Sequence, residues 1–438
     1  MVTLTSPTRA HRRVTSRRVL LVAALAGLTA CSTDRILKVE RPDIIDPGSL
    51  DNSGGVTALY AGVIGDLSNT MATNLGVISS TGLMADELRF GATPPEIRQM
   101  DQRAAPKSNT LVATVYRNVQ QLRGQADRAA VALKGQKADD VRVGEMQAIS
   151  GFAHVILAEM FCSGVPLAEP LEDGDPLTTT AVLQAGLAKL TEAATSAGAD
   201  ARIRNLAAVV RGRALLDLGQ FDQAAAAVAG VPTDFSYTTL HATTTAYQRN
   251  GFSDYMFNFD GILVSNREGT NGLNFATAAD PRVVIEGTGA PSRFDGQTPR
   301  YYLSRANSFT SRMPLVTGVE ARLIEAEAAL RAGNTALWLT KLTGARAPFG
   351  MTAPADPGTA TARVDLMFRE RAFALFASAH RLGDLRRLVR QYQRGAETVY
   401  PTGAYHKDGL QLGTDLQFVI PQTEENNPKY TACIDRAA

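Results

Sequence analysis

Apolar residues recur at every third or fourth position along most of this chain, which is the spacing of one face of an α-helix. Residues 108–133 show the pattern clearly, with Leu111, Val115, Val119 and Leu122 on one face. The same spacing predicts further helices over residues 56–67, 143–161, 178–197, 202–229 with a break near Gly219, 313–333 and 362–393. The chain is therefore predicted to be mainly α-helical, with a few short strands.

Residues 210–228 match the spacing of a tetratricopeptide repeat, a unit of two packed helices. Gly212 allows the two helices to approach closely, and Gly219 ends the first helix. Phe221 fills the space at the turn, and Ala224 fits beneath it. The segment therefore predicts one pair of stacked helices.

Residues 323–342 repeat part of this pattern, since Ala326 and Gly333 keep the same seven-residue step. Trp338 stands where alanine is usual, and its place in a repeat helix predicts a core residue. One full unit and one partial unit indicate tetratricopeptide-like helix pairs, not a regular array.

The helical period is lost between residues 233 and 310, a stretch rich in Gly, Asn, Asp and Tyr. Within it, residues 253–259 and 261–266 are predicted to be short strands. A long irregular insertion in a compact fold usually carries function. We therefore expect the ligand side here, between an N-terminal helical part at 51–232 and a C-terminal helical part at 311–438.

Aromatic residues make up only 6% of the chain, which shifts the expected ligand from polysaccharides towards peptides or small oligosaccharides. The candidate ligand-binding side chains are tyrosines in or near the irregular stretch: Tyr247, Tyr255, Tyr301 and Tyr302. The alternative is that these rings only fasten long loops to the helices.

Residues 1–30 have the pattern of a secretory signal peptide. Basic residues come first, namely Arg9, Arg12, Arg13, Arg17 and Arg18, and no acidic residue occurs before Asp34. The apolar run 19–30 is shorter than the roughly 20 residues that span a bilayer. Residues 16–20 also loosely resemble a twin-arginine signal, although arginine pairs are common in ordinary signal peptides.

Residues 28–31 (LTAC) resemble the bacterial lipobox, in which the cysteine is acylated and becomes the mature N-terminus. Acyl chains such as palmitate on Cys31 would hold the protein to a membrane without a spanning helix. Residues 31–50 would then form a tether. The alternative is an ordinary signal peptide with an unrelated cysteine.

Removal of the signal changes the charge of the protein. The chain has 45 Lys and Arg residues and 43 Asp and Glu residues, which gives a net charge of +2. The signal holds five of the arginines, so the mature part has 40 basic and 43 acidic residues and a net charge of −3. With no basic patch interleaved with aromatic residues, the sequence gives no argument for a nucleic-acid partner.

Lipidation of Cys31 would leave two further cysteines, Cys162 and Cys433. An exported protein meets an oxidising compartment, where an even pair favours a disulfide. The alternative is two unrelated thiols, each packed as a small apolar side chain.

Catalytic and metal-binding motifs are not found in the sequence. It contains no HExxH, GxSxG or GxxxxGK[ST] motif. Four histidines remain after the signal, and none has metal-ligand spacing: His154, His241, His380 and His406. His154 and His380 lie within helical patterns and are interpreted as packed or capping residues. A hydrolase is therefore not favoured, and neither a cofactor nor a metal is predicted.

Several segments in order resemble the SusD/RagB family of outer-membrane lipoproteins. They are residues 39–47 (VERPDIIDP), 158–170 (AEMFCSGVPLAEP), 313–334 (MPLVTGVEARLIEAEAALRAGN), 368–387 (FRERAFALFASAHRLGDLRR) and 418–430 (FVIPQTEENNPKY). In the fourth segment Glu370, Arg371, Arg381, Asp384, Leu385 and Arg387 match the family pattern. Ser378 and Ala379 depart from it, because they stand where the family usually has Glu-Gly.

The charged residues of that fourth segment also predict local ion pairs. Arg381 and Arg387 flank Asp384 at three-residue spacing on one predicted helix. Side chains three apart face each other along a helix, so the spacing allows ion pairs with this carboxylate, each worth a few tenths of a kcal/mol.

The resemblance implies tetratricopeptide-like helix pairs carrying long loops. It also implies a non-enzymatic surface lipoprotein that captures an oligosaccharide or peptide and delivers it to a SusC-like, TonB-dependent outer-membrane transporter, over which it acts as a lid. The alternative is a tetratricopeptide-type envelope scaffold that binds protein segments.

Overall fold

Most of the long helices begin at polar residues whose side chains bind the first free backbone N–H groups. This computed structural model describes residues 52–167, 173–430 and 432–434. Asn52 accepts from the Gly55 N–H at 2.9 Å, and Asp200 accepts from the Ile203 N–H at 3.0 Å. Such caps fix where a helix starts, because the first four N–H groups have no partner inside the helix.

The first half of the described chain is a series of eight helices, of which the apolar spacing predicted six and missed those at 77–84 and 95–101. They are α1 Ser53–Ala72, α2 Val77–Met84, α3 Pro95–Asp101, α4 Thr110–Gln136, α5 Arg142–Met160, α6 Thr179–Ser196, α7 Ala201–Asp217 and α8 Phe221–Val228. Helix α5 lies at the centre, since every residue in it except Arg142 and Gln147 is buried. It packs against α4, α6 and α7.

The second half contains six further helices among the described residues. They are α9 Gly251–Phe257, α10 Gly318–Arg331, α11 Thr335–Arg346, α12 Ala360–Ala374, α13 Arg381–Arg390 and α14 Ala396–Val399. The prediction of one helix over 362–393 is wrong, because α12 and α13 are separate. Ala377 and Ala379 between them have φ angles of +51° and +63°, which no right-handed helix accommodates. Apolar residues keep their helical spacing through this turn, so the spacing alone did not reveal the break between the two helices.

The strands are short, and in the described part of the chain they form four antiparallel pairs: β1–β5, β2–β3, β4–β8 and β6–β7. Their bounds are β1 Leu88–Phe90, β2 Val165–Pro166, β3 Pro176–Leu177, β4 Ser236–Thr238, β5 Ile262–Val264, β6 Ile285–Glu286, β7 Tyr302–Leu303 and β8 Pro314–Thr317. The prediction for 261–266 is confirmed by β5. The strand predicted over 253–259 is wrong, because Asn250 caps helix α9 there through the Ser253 N–H at 2.9 Å.

The two predicted repeat units are present as the helix pairs α7–α8 and α10–α11. A Cβ added at Gly212 would lie 2.6 Å from Val228 Cγ1, so the α7–α8 contact requires a glycine. Gly219 and Gly333 end the first helix of each pair with φ angles of +71° and +72°. Trp338 is fully buried, which confirms it as a core residue.

The motif at 368–387 folds into a set of buried ion pairs. Arg371 Nε donates to both carboxylate oxygens of Asp384 at 2.8 and 2.9 Å. Arg387 Nη2 donates to Asp384 Oδ1 at 2.8 Å and to Glu327 Oε2 of α10 at 3.0 Å. We call these four residues the signature network. Although burial alone would raise it, the two arginines hold the pKa of Asp384 well below its ordinary value.

Only one of the two ion pairs that the spacing allows along this helix is formed. Arg387 does bind Asp384, but Arg381 Nε binds Asp86, just beyond α2, at 2.6 Å. Glu370 at the start of the motif binds Arg282 at 2.6 Å, which connects α12 to the irregular stretch. The motif therefore joins elements that are distant in sequence.

A disulfide joins Cys162, two residues beyond α5, to Cys433 near the C-terminal end, with Cα atoms 5.9 Å apart. Residues 51–438 group as one compact unit. The predicted signal peptide, the tether and Cys31 lie outside the described residues. Among the residues described, no helix has both the length and the apolar character needed to cross a membrane.

Candidate functional site

Three aromatic rings form a row at the surface of the irregular stretch. The centroids of Tyr255 and Phe259 are 6.3 Å apart, and those of Phe259 and Phe294 are 6.4 Å apart. Phe259 is 46% exposed and Phe294 is 51% exposed. We call these three residues the aromatic cluster. Large rings left in water forgo the stabilisation of burial, and a group of them marks a binding surface.

The buried carboxylate of Asp260 organises the backbone behind this cluster. It accepts hydrogen bonds from the Tyr302 hydroxyl at 2.7 Å and from Arg293 Nε at 2.9 Å. The Tyr302 ring in turn stacks on Phe257 of α9, with centroids 4.9 Å apart. Residues before and after Phe259 are therefore fixed, and the ring between them is held outward.

A glycine allows the first ring of the cluster to sit close to the backbone. A Cβ at Gly261 would lie 2.2 Å from Cζ of Tyr255, so any larger residue would displace that ring. Burial raises the pKa of Tyr255 to about 12. Its hydroxyl is therefore neutral at physiological pH and is able to donate and accept hydrogen bonds.

The two charged groups beside the cluster, Asp260 and Arg293, are both ionised at neutral pH. Burial alone would raise the pKa of Asp260, but hydrogen bonds from Arg293 and Tyr302 lower it below the ordinary value. The guanidinium of Arg293 is about half exposed, beside Phe294. The site thus offers apolar ring surfaces next to one exposed cation whose charge is largely balanced.

The loop that carries Phe294 is fastened to the rest of the fold by Lys407. The ammonium group donates to the Phe90 and Ala92 carbonyl oxygens at 2.6 and 2.7 Å, and to Asp295 at 2.8 Å. A buried lysine with three acceptors has all its donors used. The ring of Phe294 is consequently presented by a rigid support.

The structure separates the four tyrosines that the sequence grouped as ligand candidates. Tyr255 belongs to the aromatic cluster, and Tyr302 supports it through Phe257 and Asp260. The hydroxyl of Tyr301 lies beside Gly289. The hydroxyl of Tyr247 binds Asp66 of α1, which is the loop-fastening arrangement named as the alternative. Whether any of them binds a ligand stays a prediction.

Sequence reasoning missed Phe259, Phe294 and Arg293. Both phenylalanines directly precede an Asp, in the segments FNFDG and SRFDG, and each segment ends in the Asp-Gly typical of turns. That repeated aromatic-Asp-Gly pattern was the available signal. It was passed over because only tyrosine and tryptophan were weighed as ring platforms.

The histidines within the fold have structural surroundings. His154 Nδ1 contacts the Ser150 carbonyl oxygen at 2.7 Å, and burial lowers its pKa to about 4. His380 lies between Arg213 and the buried Glu320, whose carboxylate is 3.0 Å from Nε2. Within the described ranges, no group of three His, Cys, Asp or Glu side chains is arranged to hold a metal ion.

Comparison with known proteins gives matches among solved structures. No protein-family model and no curated protein matches the chain. A SusD-like protein from Bacteroides fragilis matches with a TM-score of 0.67 at 11% identity, covering 90% of this chain and 99% of that one. Surface glycan-binding protein A from Bacteroides uniformis matches with a TM-score of 0.63 at 13% identity, over 86% and 99% of the two chains.

A laminarin-binding SusD-like protein also matches, with a TM-score of 0.58 at 17% identity, over 87% of this chain and 99% of that one. Each of the three matches extends over 99% of the solved chain. The fold expected from the sequence motifs is thereby confirmed: the chain folds as the SusD superfamily proteins do.

Proposed function

We propose that this protein binds glycans at the cell surface through the aromatic cluster, and that it does so as a lipoprotein partner of a TonB-dependent transporter. The observation that carries the first part is the row of rings in which Phe259 and Phe294 are exposed and Tyr255 is partly buried beside them. Two of the proteins that share the fold are named for binding glycans.

The chemistry of the cluster suits a carbohydrate. One face of a sugar ring carries C–H groups, which pack on aromatic rings, while its hydroxyls need hydrogen-bonding groups at the edge. The Tyr255 hydroxyl and the exposed guanidinium of Arg293 supply such groups. A row of rings, with centroids about 6 Å apart, supports stacking of successive sugar units.

A titration with soluble glycans tests this proposal. Laminarin is the first probe, followed by other soluble polysaccharides, with binding measured by isothermal titration calorimetry. We expect the double variant Phe259→Ala, Phe294→Ala to bind at least about tenfold more weakly than the wild type, since stacking on each ring contributes about 1 kcal/mol. Because both rings are exposed, its free energy of unfolding should change by less than about 0.5 kcal/mol.

Leu337→Ala is the matched control, since Leu337 is an exposed apolar residue of α11 outside the cluster. It should bind glycan as the wild type does. If the wild type binds none of the glycans, or the double variant binds them as well as the wild type, the proposed site is wrong.

The lipoprotein and transporter part of the proposal rests on the lipobox-like residues 28–31 and on the shared fold. It is tested by isolating the natively expressed protein from detergent extracts through a C-terminal tag. Recovery of a large TonB-dependent barrel in equal amount is expected, and mass spectrometry of the mature N-terminus should show acylated Cys31. Recovery of assembly factors without such a barrel would instead favour the envelope scaffold.

A further inference from the structure

A second pocket lies away from the aromatic cluster, between α1, α5, α7 and β4. Its volume is about 460 Å³, which is enough for a small organic molecule. The residues that line it include none of the aromatic cluster or the signature network. Helix α1 forms one wall with Tyr60, Ile64 and Leu67.

The polar wall of the pocket is built around one buried carboxylate. Glu145 accepts from the hydroxyls of Tyr60 at 2.7 Å and Tyr237 at 2.8 Å. It also accepts from Arg202 Nη1 at 2.5 Å and Nη2 at 2.8 Å. Burial alone would raise the pKa of Glu145, but these hydrogen bonds lower it, so the group is ionised at neutral pH.

Four hydrogen bonds use the acceptor capacity of Glu145, so the pocket offers no free carboxylate to a cation. The same bonds fix the side chain of Arg202 at the pocket while about half of it stays exposed. Only two nitrogens of that guanidinium are bound to Glu145, and its remaining N–H groups are available to a ligand.

The apolar wall is formed by Ile64, Leu67 and Leu240. Leu240 is 47% exposed, although its own backbone N–H is fixed by Ser68 Oγ of α1 at 2.8 Å. An apolar side chain held in place at the edge of an apolar pocket leaves surface that a ligand would cover.

A second cation lies at the mouth. Arg312 lines the pocket and is exposed, and it makes no hydrogen bond or ion pair with any residue that the structure describes. Glu145 balances the charge of Arg202, so the charge of Arg312 remains uncompensated. A pocket with apolar walls and a net positive mouth is complementary to a ligand with an apolar body and one negative group.

We propose that this pocket binds an apolar carboxylate, that is, an aromatic or branched aliphatic acid. Its body packs on Ile64, Leu67 and Leu240. Its carboxylate pairs with Arg312 and with the exposed edge of Arg202. Hydroxyls of Tyr60 and Tyr237 stay on Glu145, since burial and that carboxylate raise the pKa of both phenols above the ordinary value.

The test is a pair of calorimetric titrations with 2-naphthylacetate and its neutral isostere 2-naphthylacetamide. For the full mature protein we expect saturable binding of the acid, with a Kd of about 0.1–1 mM for a ligand of this size. The amide should bind at least about tenfold more weakly, because it lacks the charge that Arg312 recognises. Raising the salt concentration should weaken the acid and leave the amide unchanged.

Arg312→Gln should reduce the affinity for the acid about tenfold. Leu240→Glu should reduce it further, because it places a negative charge at the mouth that repels the carboxylate of the ligand. Neither residue is part of the core, so both variants are expected to fold. Arg211→Gln is the matched control, an exposed arginine of α7 outside the pocket, and it should bind as the wild type does.

Equal affinity for acid and amide, or unchanged binding by Arg312→Gln, would overturn the proposal. Absence of saturable binding of the acid would overturn it as well. The result is independent of the glycan site, because Arg312→Gln should bind glycan normally and the Phe259→Ala, Phe294→Ala variant should bind the acid normally.

Discussion

The signature network and the aromatic cluster reverse the usual distribution of polar and apolar groups. In the network, Arg371, Asp384 and Arg387 are charged and at most 5% exposed. In the cluster, Phe259 and Phe294 are apolar and about half exposed. Each arrangement has a cost on its own, the first in desolvation and the second in forgone burial.

The difference between the two regions lies in what offsets that cost. Each charge of the network meets an opposite charge from another helix, so the pairs also fix how α10, α12 and α13 are placed. In the cluster, about half of the surface of Phe259 and of Phe294 meets solvent, and no described residue covers that half. The network therefore specifies the fold, whereas the cluster is left for an external partner.

The largest expected effect is loss of the disulfide. The double variant Cys162→Ala, Cys433→Ala should lower the free energy of unfolding by about 4 kcal/mol, because the bridge closes a loop of 271 residues. Urea denaturation measures it, and reduced wild type should match the variant. Glycan affinity of the folded variant should be unchanged; an equal loss of binding would show that the two regions are not separable.

Removing one member of the signature network should cost about 3 kcal/mol. In Arg387→Ala, Glu327 loses two charge-assisted hydrogen bonds and remains buried. Denaturation midpoints give the change, and Arg211→Ala provides the control on an exposed arginine. A cost below about 1 kcal/mol would mean that the network does not hold the helices as argued.

The buried carboxylate of Glu87, which contacts the turn between α12 and α13, should make stability depend on pH. Its Oε1 accepts from the Ala377 N–H at 3.1 Å, while Oε2 has no hydrogen bond to a described residue. Burial raises the pKa of Glu87 to about 8. The folded state then binds more protons than the unfolded one, so stability is full below about pH 4 and is lost as the pH rises through 8.

Glu87→Gln isolates this contribution, because the amide keeps the acceptor for Ala377 and does not titrate. Between pH 6 and 8 the free energy of unfolding of the wild type should fall by about 2 kcal/mol relative to the variant. Denaturant titrations at several pH values measure both. If the free energies of unfolding of the wild type and the variant changed with pH in parallel, Glu87 would be ionised in the folded protein.

The smallest expected effect concerns the irregular stretch. Ala279 is exposed and has a φ angle of +51°, a conformation that suits glycine. Ala279→Gly should therefore raise the free energy of unfolding by about 0.5 kcal/mol. Ala355→Gly, at an exposed loop position outside the left-handed region, should lower it instead. If both substitutions changed the free energy of unfolding in the same direction, backbone strain at Ala279 would not be the explanation.

The helices and the repeat units could be predicted from the sequence because their signals are local. Gly212, Gly219 and Gly333 stand where close packing or a positive φ requires them. The break between α12 and α13 was missed because alanine, not glycine, occupies the turn at Ala379. The family motif usually has glycine there, and the φ angle of +63° gives the physical reason.

The candidate site was predicted only in part because exposure depends on distant contacts. The aromatic cluster lies within residues 233–310, where the sequence predicted the ligand side, and Tyr255 was among the candidate residues. A phenylalanine is ordinarily expected in the core. Only the contacts of Asp260 and Lys407 show that Phe259 and Phe294 face outward. In the same way, no local rule assigns Asp86 as the partner of Arg381.

The disulfide also determines how the molecule responds to mechanical tension. A pull between Asn52 and Ile434 would pass across the bridge at Cys162 and Cys433 and would leave the segment between them unstretched. Roughly 900 Å of contour length is thereby withheld from extension. Both the aromatic cluster and the signature network lie inside that loop, so tension would extend the helices that precede Cys162 and spare the region where a ligand would be held.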